Sequence, residues 1–182
     1  MSEQPNPRLA GDPVPDTASM IRVDHAGEFG AVRIYAGQRA VMGNRSPVSA
    51  EIARMAAQED RHLEVFDKLI VERGVRPTLL MPLWHGAGFA LGAVSALIGP
   101  KAAMAVTAAV ETEIDLHYQQ QRDQLAGDDP ELEAVIAEFQ AEEVEHRESA
   151  IALGAEQAPA YPLMSALVRA GCRVAIRLSE KI

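Results

Sequence analysis

Glu59-Asp60-Arg61-His62 and Glu143-Val144-Glu145-His146 are the two Glu-x-x-His units in this chain of 182 residues. Each has a glutamate about one helix upstream: Glu28 lies 31 residues before Glu59, and Glu111 lies 32 before Glu143. The two sets are therefore related by a near-constant offset of 83 to 84 residues. A glutamate and a histidine three apart share one face of a helix. Four carboxylates and two imidazoles repeated in this way are the set with which a four-helix bundle holds two metal ions in its core. A single Glu-x-x-His arises readily by chance; the doubled unit with matched upstream glutamates does not.

The neighbours of these residues say which way they face. Ile52, Met55, Glu59, His62, Phe66 and Leu69 recur at spacings of three and four, as do Leu132, Ile136, Phe139, Glu143, His146 and Leu153. Glu28 shares a stripe with Ile21, Val32 and Tyr35, and Glu111 shares one with Met104, Ile114 and Tyr118. All six candidate ligands interrupt apolar stripes, where an unpaired carboxylate is very costly, so the positions demand compensating cations. A donor set rich in oxygen, free of thiolate and with one imidazole per metal favours iron or manganese over zinc. By the geometry of such bundles Glu59 and Glu143 bridge the metals, Glu28 and His62 complete one, and Glu111 and His146 complete the other. Glu142, Asp24 and Asp115 are candidates to orient the imidazoles. His25, His85 and His117 are read as structural or supporting residues and not as ligands.

Helix punctuation fits the same architecture. Helices are expected from Thr17 to Gly43, from a Ser46-Pro47 start to Gly74, from Gly99-Pro100 to Gly127, and from Asp129-Pro130 to about Gly154, with a last helix over 161–181. The composition, 48% hydrophobic but only 4% aromatic and rich in alanine, favours helix, and no stretch alternates as a strand would. The fold class is thus all-α: one domain over 16–182, preceded by a proline-rich, disordered arm at 1–15 with neither signal nor transit pattern. A net charge of −9 argues against nucleic acid as a partner. Cys172 is the single cysteine, so no disulfide closes within the chain.

Two features exceed the needs of a metal-holding bundle. Residues 79–98, from Leu79 through Pro82, Trp84 and His85 to Ile98, carry no formal charge. Pro82 and the glycines at 86, 88 and 92 lead to the expectation of an interfacial or re-entrant hairpin with Trp84 at headgroup level; a buried core helix is the competing reading. In the last helix Arg169, Arg173, Arg177 and Lys181 recur every four residues beside Leu163, Leu167 and Val174. Residues 160–182 carry a net +3, so the rest of the chain carries −12. That stripe is read either as attachment to an anionic membrane or as pairing with the acidic bundle. Together the two features suggest a substrate that lives in the bilayer.

Three stretches also resemble the demethoxyubiquinone hydroxylase family of ubiquinone biosynthesis: Arg22-Val23-Asp24-His25-Ala26-Gly27-Glu28, the run from Arg76-Pro77-Thr78 to Trp84, and Ala170-Gly171-Cys172-Arg173-Val174-Ala175-Ile176. The likeness covers roughly residues 18–182 and all six ligand positions. It implies a ferritin-like di-iron protein that uses dioxygen to hydroxylate the ring of a polyprenylated demethoxyubiquinol. No dinucleotide fingerprint is visible, so the candidate electron sources are NADH met directly, a reductase partner or the quinone itself, and His117 and Tyr118 are candidates to relay electrons or protons. It further implies peripheral attachment to the cytoplasmic face of a bacterial inner membrane, with homo-oligomers and quinone-biosynthesis accessory proteins as possible partners. Iron storage or peroxide detoxification is the rival reading, since it shares the ligand set; a quinone-binding subunit without turnover is a second.

Overall fold

The computed structural model describes residues 14–182; of the arm expected over 1–15, all but Val14 and Pro15 lie outside them. Six α-helices make up the described chain: α1 Thr17–Met42, α2 Ser49–Glu72, α3 Met81–Ile98, α4 Pro100–Leu125, α5 Pro130–Ala152 and α6 Tyr161–Lys181. A 3-10 turn, Ala155–Gln157, precedes α6. No strand is present among the described residues, so the fold is an all-α bundle as expected.

Local chemistry accounts for most boundaries. Asp16 and Asp129 cap α1 and α5, each accepting a hydrogen bond from a backbone N–H three residues on, at 2.9 and 3.1 Å. Gly43 closes α1 with φ +52°, a left-handed conformation that costs glycine little. The start of α2 differs from expectation. Ser46-Pro47 form a turn, with the Ser49 N–H donating to the Ser46 carbonyl at 3.1 Å, and the helix proper begins at Ser49 without a side-chain cap.

The order of residues along each stripe fixes the topology. One apolar cluster joins Tyr35, Met42, Ile52, Met55, Met104, Ala108 and Ala150; a second joins Ile21, Phe66, Leu69, Tyr118, Leu125, Leu132, Ile136 and Phe139. Helices α1 and α5 run from the second cluster to the first, whereas α2 and α4 run the other way. Hence α1 and α2 are antiparallel, as are α4 and α5, and α3 must return the chain from one end of the bundle to the other. Such a single long crossover is the connection of ferritin-like bundles. At a rise of about 1.5 Å per residue, the 18 residues of α3 cover roughly 27 Å, enough for that journey.

The apolar stretch is therefore one continuous helix, and the hairpin expectation fails. Pro82 sits in the first turn, where its missing N–H has no partner to lose. Glycines on both α3 and α1 serve contact. A Cβ on Gly92 would lie 1.9 Å from the Ile34 carbonyl oxygen, and one on Gly37 would lie 2.2 Å from that of Phe89. Glycine lets α3 lie directly on the backbone of α1. Nor is α3 a buried core helix: Gly88, Gly92, Ser95 and Ala96 are its buried residues, while Leu83, Phe89, Val94, Leu97 and Ile98 are exposed. It is also the one described helix long and apolar enough to cross a membrane.

Helix α6 packs on α4 and α1, and its end meets the start of α3. The Leu79 N–H donates to the carbonyl of Ile182 at 3.4 Å, and the Trp84 indole N–H to Ser179 Oγ at 3.1 Å. The arginine stripe pairs with the acidic bundle in part. Arg169 and Arg173 both donate to the buried Glu113 of α4, at 2.5 and 2.8 Å, whereas Arg177 and Lys181 are exposed.

Candidate metal centre

Between the two apolar clusters, each bundle helix contributes its polar residues at the same level: Glu28 from α1, Glu59 and His62 from α2, Glu111 from α4, Glu143 and His146 from α5. All six are buried, none more than 3% exposed. They form two overlapping groups, Glu28, Glu59, His62 and Glu143, and Glu59, Glu111, Glu143 and His146, with donor atoms within 4.8 Å of one another in each. Glu59 and Glu143 belong to both. His62 Nδ1 lies 3.3 Å from Glu28 and 3.1 Å from Glu143, and His146 Nδ1 lies 3.1 Å from Glu59 and 3.2 Å from Glu143.

Glu59 Oε1, His62 Nδ1 and Glu143 Oε1 are buried with no hydrogen-bond partner. Native interiors rarely leave such atoms unpaired unless something else binds there. Burial, reinforced by neighbouring carboxylates, pushes Glu59 and Glu111 well above the usual range. Burial acts on Glu143 too, but the neighbouring His146 and His62 imidazoles overcome it and hold that carboxyl down at about 2. His62 is pushed up to about 10, because Glu143 and Glu28 outweigh the burial that opposes its charge. Four carboxylates crowd two imidazoles, and two multivalent cations would neutralise the excess. The donor set fits iron or manganese.

The surrounding hydrogen bonds follow the repeat. Tyr118 on α4 donates to Glu28 on α1, and Tyr35 on α1 donates to Glu111 on α4 at 3.0 Å. Burial and the facing carboxylates hold both phenols well above their ordinary range, so they remain donors. Outside the imidazoles, His62 Nε2 pairs with Glu142 at 2.9 Å and His146 Nε2 with Gln58 at 3.1 Å. Phe139 stacks on the His62 ring at 3.9 Å between centroids, which fixes its plane.

Some sequence expectations land elsewhere. Glu142 does orient an imidazole. Asp115 instead receives hydrogen bonds from Arg147 at 2.6 Å and Gln140 at 2.8 Å, and Asp24 receives them from His117 at 3.1 Å and Gln121 at 2.8 Å. The bonds of His117 thus go to Asp24 and Gln121, while Tyr118 touches the cluster directly. His25 pairs with Asp67 at 2.9 Å, and the exposed His85 lies beside Phe29. Tyr35 and Gln58 were missed as cluster partners, although a signal existed: Tyr35 and Tyr118 are 83 residues apart, Gln58 and Glu142 are 84, the offsets of the ligands themselves.

Beside the cluster lies an apolar cavity of about 420 Å³, walled by α1, α3, α4 and α6. Ile34, Leu91, Ile114, Val168 and Cys172 line it, and so do Gly27 and Val110, the chain neighbours of Glu28 and Glu111. Two of its walls come from the helices outside the four-helix core. Burial raises the Cys172 thiol to about 12.

Residues 15–179 match the family described as ubiquinone biosynthesis protein COQ7. The chain belongs to that family. Among COQ7 relatives, it is 54% identical over 177 residues to the 3-demethoxyubiquinol 3-hydroxylase of Rhodospirillum rubrum, covering 96% of this chain and 84% of that one. It is 52% identical over 167 residues to the mitochondrial NADPH-dependent 3-demethoxyubiquinone 3-hydroxylase of Homo sapiens, covering 90% and 76%. Against the mitochondrial 5-demethoxyubiquinone hydroxylase of Saccharomyces cerevisiae it is 40% identical over 179 residues, covering 90% and 77%. COQ7 membership agrees with the resemblance carried by the Arg22–Glu28, Arg76–Trp84 and Ala170–Ile176 stretches.

Proposed function

We propose that this protein is a di-iron monooxygenase that hydroxylates the ring of a polyprenylated demethoxyubiquinol. The observation that carries the reading is the apolar cavity of about 420 Å³ set against the buried carboxylate–imidazole cluster. An iron-storing or peroxide-consuming bundle has no use for such a cavity, nor for two extra helices to wall it. The names of the relatives supply the substrate class.

In this reading Glu28 and His62 would hold one iron, Glu111 and His146 the other, and Glu59 and Glu143 would be shared by the two. When bound, the iron pair supplies reductive activation of dioxygen, with one oxygen atom entering the ring C–H bond and the other leaving as water, at the expense of two electrons. The chain itself does the rest. Glu142 and Gln58 hold the Nε2 side of each imidazole so that Nδ1 faces inward. Tyr118 and Tyr35 keep Glu28 and Glu111 aimed by hydrogen bonds, and Tyr118 is positioned to pass a proton at Glu28. Ile34, Ile114 and Val110 exclude water from the side where the quinol ring enters. His117 has no bond to the cluster and would act only through Asp24.

Electrons come from a reduced nicotinamide nucleotide, NADPH or NADH, delivered directly or through a partner. Leu83, Val94 and Leu97 on α3, with Leu163, Leu167 and Val174 on α6, form the face that rests on the bilayer. Arg177 and Lys181 meet its anionic headgroups on the cytoplasmic side of a bacterial membrane.

The test is anaerobically reduced, iron-loaded protein given short-chain demethoxyubiquinol and ¹⁸O₂. One ¹⁸O per hydroxylated quinol is the expected product. An intact iron pair and ample reductant with no hydroxylated product would refute the proposal.

A further inference from the structure

The two halves of the metal centre match in every ligand but differ in the residues that hold the outer sides of the imidazoles. Glu28 pairs with Glu111, Glu59 with Glu143, His62 with His146 and Tyr35 with Tyr118 under the offset of 83 to 84 residues. Under the same offset Glu142 corresponds to Gln58, so the imidazole on one side is held by a carboxylate and the other by a neutral amide.

The surroundings deepen the contrast. Gln58 Oε1 already accepts from the Arg54 guanidinium at 2.5 Å, which draws electron density away from His146. Glu142 Oε1 accepts from Arg61 at 2.5 Å, leaving Oε2 to His62 and to a 3.2 Å hydrogen bond from the Gln58 amide. A chain His62–Glu142–Gln58–His146 therefore joins the outer sides of both imidazoles, with its one formal charge at the His62 end. An imidazole N–H bonded to a carboxylate is a more basic ligand through its other nitrogen than one bonded to an amide.

We infer that Glu142 and Gln58 make the two metal positions inequivalent, so that the Glu28–His62 position fills before the Glu111–His146 position. The inference rests on the metal centre proposed above but not on the hydroxylation. Exchanging one such outer partner typically changes metal affinity 10- to 100-fold, so the two dissociation constants should differ by about tenfold or more.

The experiment titrates metal-free protein carrying ¹⁵N-labelled histidine with Co(II) alone, following the His62 and His146 Nε2–H resonances together with calorimetry. The wild type should bind two ions in two steps, with the His62 resonance shifting first. Glu142→Gln keeps one acceptor oxygen for the imidazole while removing the charge and the oxygen that accepts from Arg61; it should weaken the first step about tenfold and merge the two. A residue that merely held the ring in place would leave both steps unmoved by this change. Gln58→Glu should tighten the second step, and it supplies the same test should Glu142→Gln fail to fold once Arg61 keeps Glu138 alone as its carboxylate partner. Simultaneous filling in the wild type, His146 shifting first, or two unchanged steps in Glu142→Gln would overturn the inference. Failure to bind cobalt at either position would overturn the metal centre as well, whereas normal binding without quinol hydroxylation would leave the inequivalence standing.

Discussion

Gly30 and Gly92 give opposite predictions for the same chemical change. Both sit inside helices, where glycine costs about 1 kcal/mol relative to alanine. A Cβ on Gly30 meets nothing within 4 Å and points toward the cavity that Gly30 lines. Gly30→Ala should therefore gain about 1 kcal/mol and raise Tm by roughly 2–4 °C for a chain of this size. A Cβ on Gly92 would lie 1.9 Å from the Ile34 oxygen and 2.8 Å from its carbonyl carbon. Ordinary contact begins near 3.4 Å, so α3 and α1 would have to part by about 1.5 Å. Overpacking of that kind costs about 3 kcal/mol or more, and the helix-propensity gain recovers only about 1, leaving a net loss of roughly 2 kcal/mol. Thermal unfolding followed by circular dichroism, at equal metal loading and in one detergent, measures both variants. Shifts of the same sign, or a Gly92→Ala protein as stable as the wild type, would refute the packing account of α3. In the stabilised Gly30→Ala protein the added methyl narrows the cavity, so KM for the quinol should rise while metal stoichiometry stays unchanged.

Other consequences are as specific. Glu143→Ala should lose metal and activity together, and retention of two metals by elemental analysis would count against its shared position between the two donor groups. Cys172, with a thiol raised to about 12, should resist iodoacetamide in the native protein at pH 8 and react once the chain is unfolded. Glu113→Ala removes the acceptor of both Arg169 and Arg173; because those arginines are partly exposed, the loss should be about 1–2 kcal/mol, read as earlier proteolysis around the α5–α6 connection. The Arg73 guanidinium holds Asp129 below its ordinary value of 3.8, so the stability this cap adds is present above that pH and lost as pH falls through the lowered value. Asp129→Asn keeps a capping oxygen but should flatten that acid-side loss in pH-dependent denaturation.

Much of this was legible in the residues alone. The spacing Glu28, Glu59, His62, Glu111, Glu143, His146 and the apolar stripes around it foretold four core helices and a shared buried level. The extent of α1, α4 and α5 followed from Asp16, Gly43, Pro100 and Asp129-Pro130. Residues 79–98 read as an interrupted segment in the sequence, because proline and glycine usually break helices. In fact Pro82 falls where a helix tolerates it, and Gly88 and Gly92 mark the line along which α3 touches α1.

What the sequence determined by itself is each helix's own face, because 3.6 residues per turn makes face a matter of local spacing. Which residue meets which across two helices depends on their mutual rotation and axial register, quantities that only the whole packed bundle sets. That is why Glu142, Asp24 and Asp115 look alike as partners for the ligand imidazoles while only Glu142 reaches one of those, Asp24 bonding His117 instead. It is also why the arginine stripe of α6 could not be assigned until Glu113 was seen beneath two of its members. The cavity is tertiary in the same sense: α1, α3, α4 and α6 each supply one wall, and no single stretch of chain encodes the space between them.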